Sequence, residues 1–417
     1  MPDAVLDAVL LQQAQACPVT MITASTLEAA APAVVSLESL IGSEWLGLVA
    51  SALVADGKQR VMLSESPLPF APEVWPNATL VAPAERPLKL RAALRLLLFK
   101  RLKPALGLRQ QPLHELPAFA AAAQPLVDFV RAAIMGSTRS SMSGPDALQP
   151  DLSIASHLWM GDGSLSTSVH FDDRDNLLLQ MVGRKHIVLF PPEVHDEMGF
   201  ADCHERRYLR PGSGTAPSGR GRVVNHSPLA VFEEQLRPRL RTGRDDLGDA
   251  WLPPSDRVAR AAVHCSLAPG QALFIPALWA HAVASTPETI RLPTPEPVEG
   301  RLHAAINFWF TRGTHSFDAA LREAPTHAPA RVCRGSTLAA LGRHEEALED
   351  FEAALELPTL PEGLRASTEH LAATTRDTLY RARLRREVTR AGGWTRDVER
   401  RVRAEVWPQG EARRRTP

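Results

Sequence analysis

His170-Phe171-Asp172 is the triplet whose residue types and spacing could do chemistry. In an extended strand, residues i and i+2 project to one face. The imidazole and the carboxylate would then converge, and Phe171 would turn to the opposite face. A third candidate, His281, stands in ALFIPALWAHAV, just after another apolar run. Two histidines and one carboxylate on one face of a metal ion leave its opposite positions open, the arrangement of non-haem Fe(II) oxygenases. Without His281, the first two residues could equally be a surface ion pair of little energetic weight.

Lys185 opens KHIVLF, whose two faces are Lys185, Ile187, Leu189 and His186, Val188, Phe190. Both faces are mostly apolar, which predicts a strand buried on both sides, where a lysine is costly unless paired. No carboxylate of the chain is its obvious partner, so an acidic ligand is one expectation; snorkelling to water from the strand start is the other. Asn307, inside INFWF, needs partners for its amide if buried, from the protein or from a ligand. Asn176, four residues after Asp172, could cap a turn or face the same cavity.

The elements that must position these residues are short apolar runs. IASHLWMG, NLLLQMVG and KHIVLF follow one another between 154 and 190, with Gly183-Arg184 as a turn between two of them. Pro191-Pro192 ends the last run, because proline cannot donate to a ladder. Strand texture returns at 262–267 and 271–275, joined by Pro269-Gly270 in a type II turn, and again at 302–310 (LHAAINFWF). Such strands predict an antiparallel sandwich or barrel. Upstream, helical spacing is expected in 36–55, 88–103 and 117–135, with a loop at 136–150. The stretch 196–260 is polar and carries no readable motif.

From 331 onward the pattern is helical. LGRHEEALEDFEAALELP (341–358) resembles the second half of a tetratricopeptide repeat, with Gly342, Ala347, Phe351, Ala354 and Pro358 at the expected steps. The spacing predicts helices at 337–343 and 345–357, with Ala347, Leu348, Phe351, Ala354 and Leu355 as an apolar stripe. An amphipathic surface helix would read the same way. One repeat cannot bury that stripe alone, so it is expected to cover the barrel, pair with a second copy or hold a partner protein. The tail 376–417 has 13 Arg against 6 Asp or Glu, most often a solvated face.

Composition excludes several classes. Lys plus Arg and Asp plus Glu are both 47, which argues against a general nucleic-acid binder. Four widely spaced cysteines, Cys17, Cys203, Cys265 and Cys333, give neither a disulfide framework nor a cysteine zinc site. The first basic residue is Lys58, so no secretory or transit signal is expected. No run is apolar enough for a transmembrane helix. The expected compartment is the cytoplasm, with the nucleus also open.

SVHFDDRDNLLLQMVGRKHIVLFPPE, NHSPL, LAPGQALFIPALWAHAV and INFWF, in that order, resemble the JmjC or cupin-like Fe(II)/2-oxoglutarate oxygenases, within the group related to asparaginyl hydroxylases. The resemblance covers roughly 150–312. It implies a mainly β fold with flanking helices: an N-terminal flanking region over 1–150, a double-stranded β-helix (jelly-roll) core over 151–315, and an α-helical C-terminal segment over 325–417. It implies Fe(II) on His170, Asp172 and His281, and Lys185 on the distal carboxylate of 2-oxoglutarate. Thr167, Asn176 and Asn307 match positions lining the cosubstrate or iron pocket. A homodimer through the C-terminal helices is implied as well.

Three features depart from the family. One tryptophan, Trp279, precedes the second histidine where two are frequent. The tyrosine on the cosubstrate carboxylate is missing, because Tyr208 and Tyr380 both lie downstream of His170. The segment 286–301 is longer than usual and is expected to shape or block the mouth. The implied activity is hydroxylation of a protein or peptide side chain with release of succinate and CO2. The alternatives are an N-methyl-lysine demethylase and a catalytically silent metal-binding module. A cupin isomerase or dioxygenase would want an HxH motif, which HxD disfavours.

Overall fold

A computed structural model of the chain describes residues 15–16, 31–36, 44–54, 57–66, 79–82, 84–99, 105–141, 154–162, 166–200, 203–208, 215–227, 229, 231–232, 255–294 and 298–407. These residues form two compact units, Met1–Glu323 and Ala324–Pro417.

In the first unit the larger sheet has the order β2 (Ala33–Ser36), β13 (Gln271–Ile275), β8 (Asp175–Val182), β16 (Val298–Phe310), β7 (Ala155–Gly161), β6 (Ala105–Pro112), β3 (Arg60–Ser66) and β5 (Ala84–Lys89), with strands numbered in chain order. β15 (Glu288–Leu292) pairs with the start of β16. The smaller sheet is β1 (Gln15–Ala16), β12 (Val263–Leu267), β9 (Arg184–Phe190) and β14 (Ala280–Thr286). A third sheet joins β11 (Thr215–Val223), β10 (Cys203–Tyr208) and β4 (Thr79–Ala82). Pairing is antiparallel except between β1 and β12 and between β10 and β4.

Side-chain parity sorts the larger sheet into two faces. Leu158, Met160, Leu177, Leu179, Ile306 and Phe308 pack with helices α1 (Glu44–Val54), α2 (Leu90–Phe99) and α3 (Pro117–Ser141). Their alternates Trp159, Leu178 and Ala305 turn the other way and join Ile187, Leu189, Cys265 and Val283 of the smaller sheet. β8 and most of β16 are therefore buried on both faces, which is why they read as unbroken apolar runs. The mainly β core with flanking helices expected from the sequence is present.

Several boundaries differ from expectation. Within 36–55 the helix is α1, and Ser36 belongs to β2. α2 buries Leu90, Ala93, Leu94, Leu97 and Leu98, the predicted stripe. α3 carries Pro125 within it and runs on to Ser141 through the first part of the expected loop; 142–150 lie outside the described residues. The stretch 196–260 is not wholly irregular, for β10, β11 and α4 (Asp256–Ala261) lie in it. The last strand is longer than expected. It starts at Val298 and forms a hairpin with β15, so 286–301 is not an open connection. Ile290 and Leu292 sink into the cluster beneath α1 and α2, and none of the described residues of 286–301 lines the cavity that holds His170 and His281. Helix α5 (His315–Glu323) closes the unit.

The second unit holds α6 (Ala328–Ala340), α7 (His344–Glu356), α8 (Glu362–Arg390) and α9 (Arg396–Val406). The predicted pair is thus longer at its first helix. Ala347, Phe351 and Ala354 are buried, and Leu348 and Leu355 pack beside them. The stripe needs no outside cover: α6 contributes Ala328, Val332 and Leu338, and α8 contributes Ala372, Leu364 and Leu371. Gly335 lets α6 approach closely, since a Cβ there would meet the Phe351 ring at 2.8 Å. Among the described residues no helix is long and apolar enough to cross a membrane.

Candidate metal centre

His170 and His281 are joined by backbone before their side chains meet. His170 N–H donates to the His281 carbonyl at 3.0 Å, and His281 N–H donates to the His170 carbonyl at 2.7 Å. Leu278 N–H donates to the Asp172 carbonyl at 2.8 Å, which draws the second half of the triplet to the same place. Phe171 turns away, as strand parity predicts, and packs against His195 and Phe200.

One ligand atom from each of His170, Asp172 and His281 lies within 4.8 Å of the others. His281 Nε2 is 3.9 Å from Asp172 Oδ2, and the two imidazole centroids are 4.5 Å apart. His170 Nδ1 lies 2.8 Å from the Ser168 carbonyl, and His281 Nδ1 lies 2.9 Å from the Trp279 carbonyl. A carbonyl only accepts, so both Nδ1 atoms carry the hydrogen and both Nε2 atoms keep a lone pair. Such outer bonds orient metal-binding histidines, and the donor set fits a divalent first-row ion. Burial, then His170, push the His281 pKa well below the usual histidine value, with Asp172 acting the other way. The neutral imidazole is the form that binds metal. His226, in NHSPL, stacks on His170 at 5.2 Å and lies 2.9 Å through Nδ1 from Ser168 Oγ.

One cavity gathers all seven residues singled out from the sequence: Thr167, His170, Asp172, Asn176, Lys185, His281 and Asn307. Asn307 Nδ2 donates to Asn176 Oδ1 at 2.9 Å, so each amide satisfies part of the other. Thr167 Oγ1 accepts from Val283 N–H at 2.9 Å, which ties the segment before His170 to β14. Lys185 is 5% exposed and does not snorkel; its Nζ donates to Ser285 Oγ at 3.0 Å. Burial, then Arg109, lower its pKa to about 8.

Residues not anticipated complete the lining, among them Arg109, Trp159, Ser166, Ser285, His303 and Trp309. Arg109 and Gln110 enter from β6, upstream of the triplet. The β6–β7 register slips between Leu108 and Gln111, and Gln110 has φ 49°. Such an irregularity re-aims side chains, and no sequence signal announces it. His303 could have been found by parity, four residues before Asn307 on one face of β16. Ser285 could not, because its pairing with Lys185 exists only through the β9–β14 register.

The chain is 27% identical over 159 residues to JmjC domain-containing protein F of Dictyostelium discoideum, covering 38% of this chain and 27% of that protein. It is 24% identical over 167 residues to lysine-specific demethylase JMJ32 of Arabidopsis thaliana, covering 37% and 41%. The same identity, length and shares hold for the human bifunctional peptidase and (3S)-lysyl hydroxylase JMJD7. The chain thus spans less than half the length of these curated relatives. A model of the cupin-like domain matches residues 100–316, from just before β6 into α5. That match takes in the strands that carry the cavity and more than half of the residues, and the chain belongs to the cupin-like domain family.

Proposed function

We propose that the chain is an Fe(II)- and 2-oxoglutarate-dependent oxygenase that hydroxylates a protein side chain and releases succinate and CO2. The observation that carries this reading is the convergence of His170, Asp172 and His281, with both Nε2 lone pairs free, in the cavity that also buries Lys185. Iron with 2-oxoglutarate, when bound, supplies the oxidising chemistry. The protein binds and orients. His170, Asp172 and His281 would hold the metal. Lys185 faces Ser285, four residues along β14 from His281, which is roughly 13 Å at ~3.3 Å per residue. With the reach of the lysine side chain, that span suits a five-carbon diacid lying between the metal and the ammonium. Trp159 and Trp309 line the same cavity.

The test is anaerobic loading with Fe(II) and 2-oxoglutarate, then oxygen, with succinate measured with and without a cell extract. Succinate that rises with extract and vanishes in Asp172→Ala supports the reading; no succinate from the wild type overturns it. A second reading, N-methyl-lysine demethylation, draws on the name of the relative JMJ32. Formaldehyde released from methyl-lysine peptides would favour it over side-chain hydroxylation.

A further inference from the structure

His303 stands at the Lys185 end of the cavity with its polar atoms unmet. The residue is 4% exposed, and neither ring nitrogen has a hydrogen-bond partner. Leaving a buried polar group unpaired is costly. The ring is nevertheless seated with care. His303 pairs across the ladder with Gly161, and a Cβ on Gly161 would meet His303 Nε2 at 2.7 Å. A Cβ on Gly183 would meet the His303 Cβ at 3.3 Å. Gly161 thus leaves room for an imidazole that the folded protein does not satisfy.

A second orphan lies at the same end. Ser166 is 1% exposed, lines the cavity, and its Oγ has no partner. It bridges Ala284, the neighbour of Ser285, the residue that receives the Lys185 ammonium. Lys185 acts electrostatically on His303. The Lys185 ammonium, with Arg109 acting on it, and two unmet neutral groups therefore mark this end of the cavity, and among the described residues Asp172 of the triad is the one acidic residue in the lining. The chemistry missing from the cluster is an anion with several acceptor lone pairs, and a carboxylate offers about four.

We propose that His303, assisted by Ser166, is a second recognition group for the distal carboxylate that Lys185 takes, so that this chain selects a diacid over a mono-acid through neutral donors as well as through charge. The proposal rests on the oxygenase reading and deepens it. His303 contributes one N–H to the carboxylate, and Ser166 contributes its hydroxyl. His303 does so from strand β16 and Ser166 from the segment just before His170.

The test uses full-length protein loaded with Mn(II), with the indoles of Trp159 and Trp309 as fluorescence reporters. The probes are 2-oxoglutarate and 2-oxopentanoate, which differ only in the distal carboxylate. His303→Leu is expected to weaken 2-oxoglutarate about tenfold while 2-oxopentanoate and Mn(II) affinities stay unchanged. His303→Gln, which keeps a donor, should recover most of that loss. Ser166→Ala removes only a hydroxyl and should lower the diacid-to-mono-acid ratio in the same direction, which keeps the idea testable if the leucine variant fails to fold. Equal losses for both acids, or an unchanged ratio in His303→Leu and Ser166→Ala, would overturn the inference and leave the oxygenase reading standing. A wild-type protein with no preference for the diacid would overturn both.

Discussion

His170 and His281 exchange both backbone hydrogen bonds, N–H to carbonyl in each direction, at 3.0 and 2.7 Å. This reciprocal bridge is a single step of antiparallel ladder outside the named strands. It sets the two imidazoles 4.5 Å apart before any ion is considered. The candidate metal centre is therefore built by main chain and trimmed by side chain, which makes the side chains separable in experiments.

Asp172→Ala should keep the fold and lose the metal. Asp172 is partly exposed, and its carbonyl, not its carboxylate, receives the Leu278 bond that anchors the loop. Mn(II) titration followed by electron paramagnetic resonance should show affinity reduced by at least tenfold with an unchanged thermal midpoint. Retained affinity would remove Asp172 from the ligand set.

Lys185 makes diacid binding pH-dependent. Its folded pKa is lowered from 10.5 to about 8. The ammonium needed for a carboxylate is thus present below pH 8 and is lost above it in the ligand-free protein. Calorimetry should show 2-oxoglutarate binding weakening by up to ~tenfold per pH unit above 8, with proton uptake on binding. Lys185→Met should bind weakly and show no such slope.

The same shift has a stability consequence. The unfolded chain binds a proton at Lys185 that the folded chain has released between pH 8 and 10.5, so stability rises with pH through that window. Below pH 8 the full penalty of burying the charge is present, on the order of 3 kcal/mol. Lys185→Met should therefore stabilise the ligand-free protein at pH 7 in denaturant titration. A destabilised variant would show that the Ser285 bond outweighs the desolvation.

Asp175 ties the strand that carries Asn176 to the segment between β16 and α5. Arg312 Nε donates to its Oδ2 at 2.7 Å, and Ser316 Oγ and Ala277 N–H donate to its Oδ1 at 2.7 and 2.9 Å. Arg312 and Asp175 are both almost wholly buried. Arg312→Met leaves the carboxylate without its cation and should cost about 3–5 kcal/mol in chemical denaturation. The double variant Arg312→Met with Asp175→Asn should recover part of that loss.

The second unit should be dispensable for the metal. Every described residue lining the cavity lies between Leu108 and Trp309, so a chain ending at Glu323 should bind Mn(II) with the affinity of the full protein. Phe351→Ala, in the core of the second unit, should destabilise that unit by ~3–5 kcal/mol and leave the same affinity unchanged. A fall in Mn(II) affinity in either variant would contradict this.

Strand parity and apolar runs are local properties, and they carried most of the site. Two-residue periodicity put His170 and Asp172 on one side and Phe171 on the other, and it marked Lys185 as a charge in a strand buried on both faces. Helical spacing identified the stripes of α2 and α7 residue by residue. What covers a stripe is not a local property. Phe351 and its neighbours are buried by α6 and α8, with Gly335 as the contact, so the outside cover expected for a single repeat is not needed. Register is equally non-local. The pairing of Ser285 with Lys185, the slip in β6 that brings Arg109 and Gln110 to the cavity, and the hairpin that turns 286–301 onto α1 and α2 all depend on which strands lie side by side. Side-chain identity at one position says what a group can do. Only the ladder between distant segments decides which other groups it meets, and it leaves His303 in the cavity wall with neither ring nitrogen hydrogen-bonded.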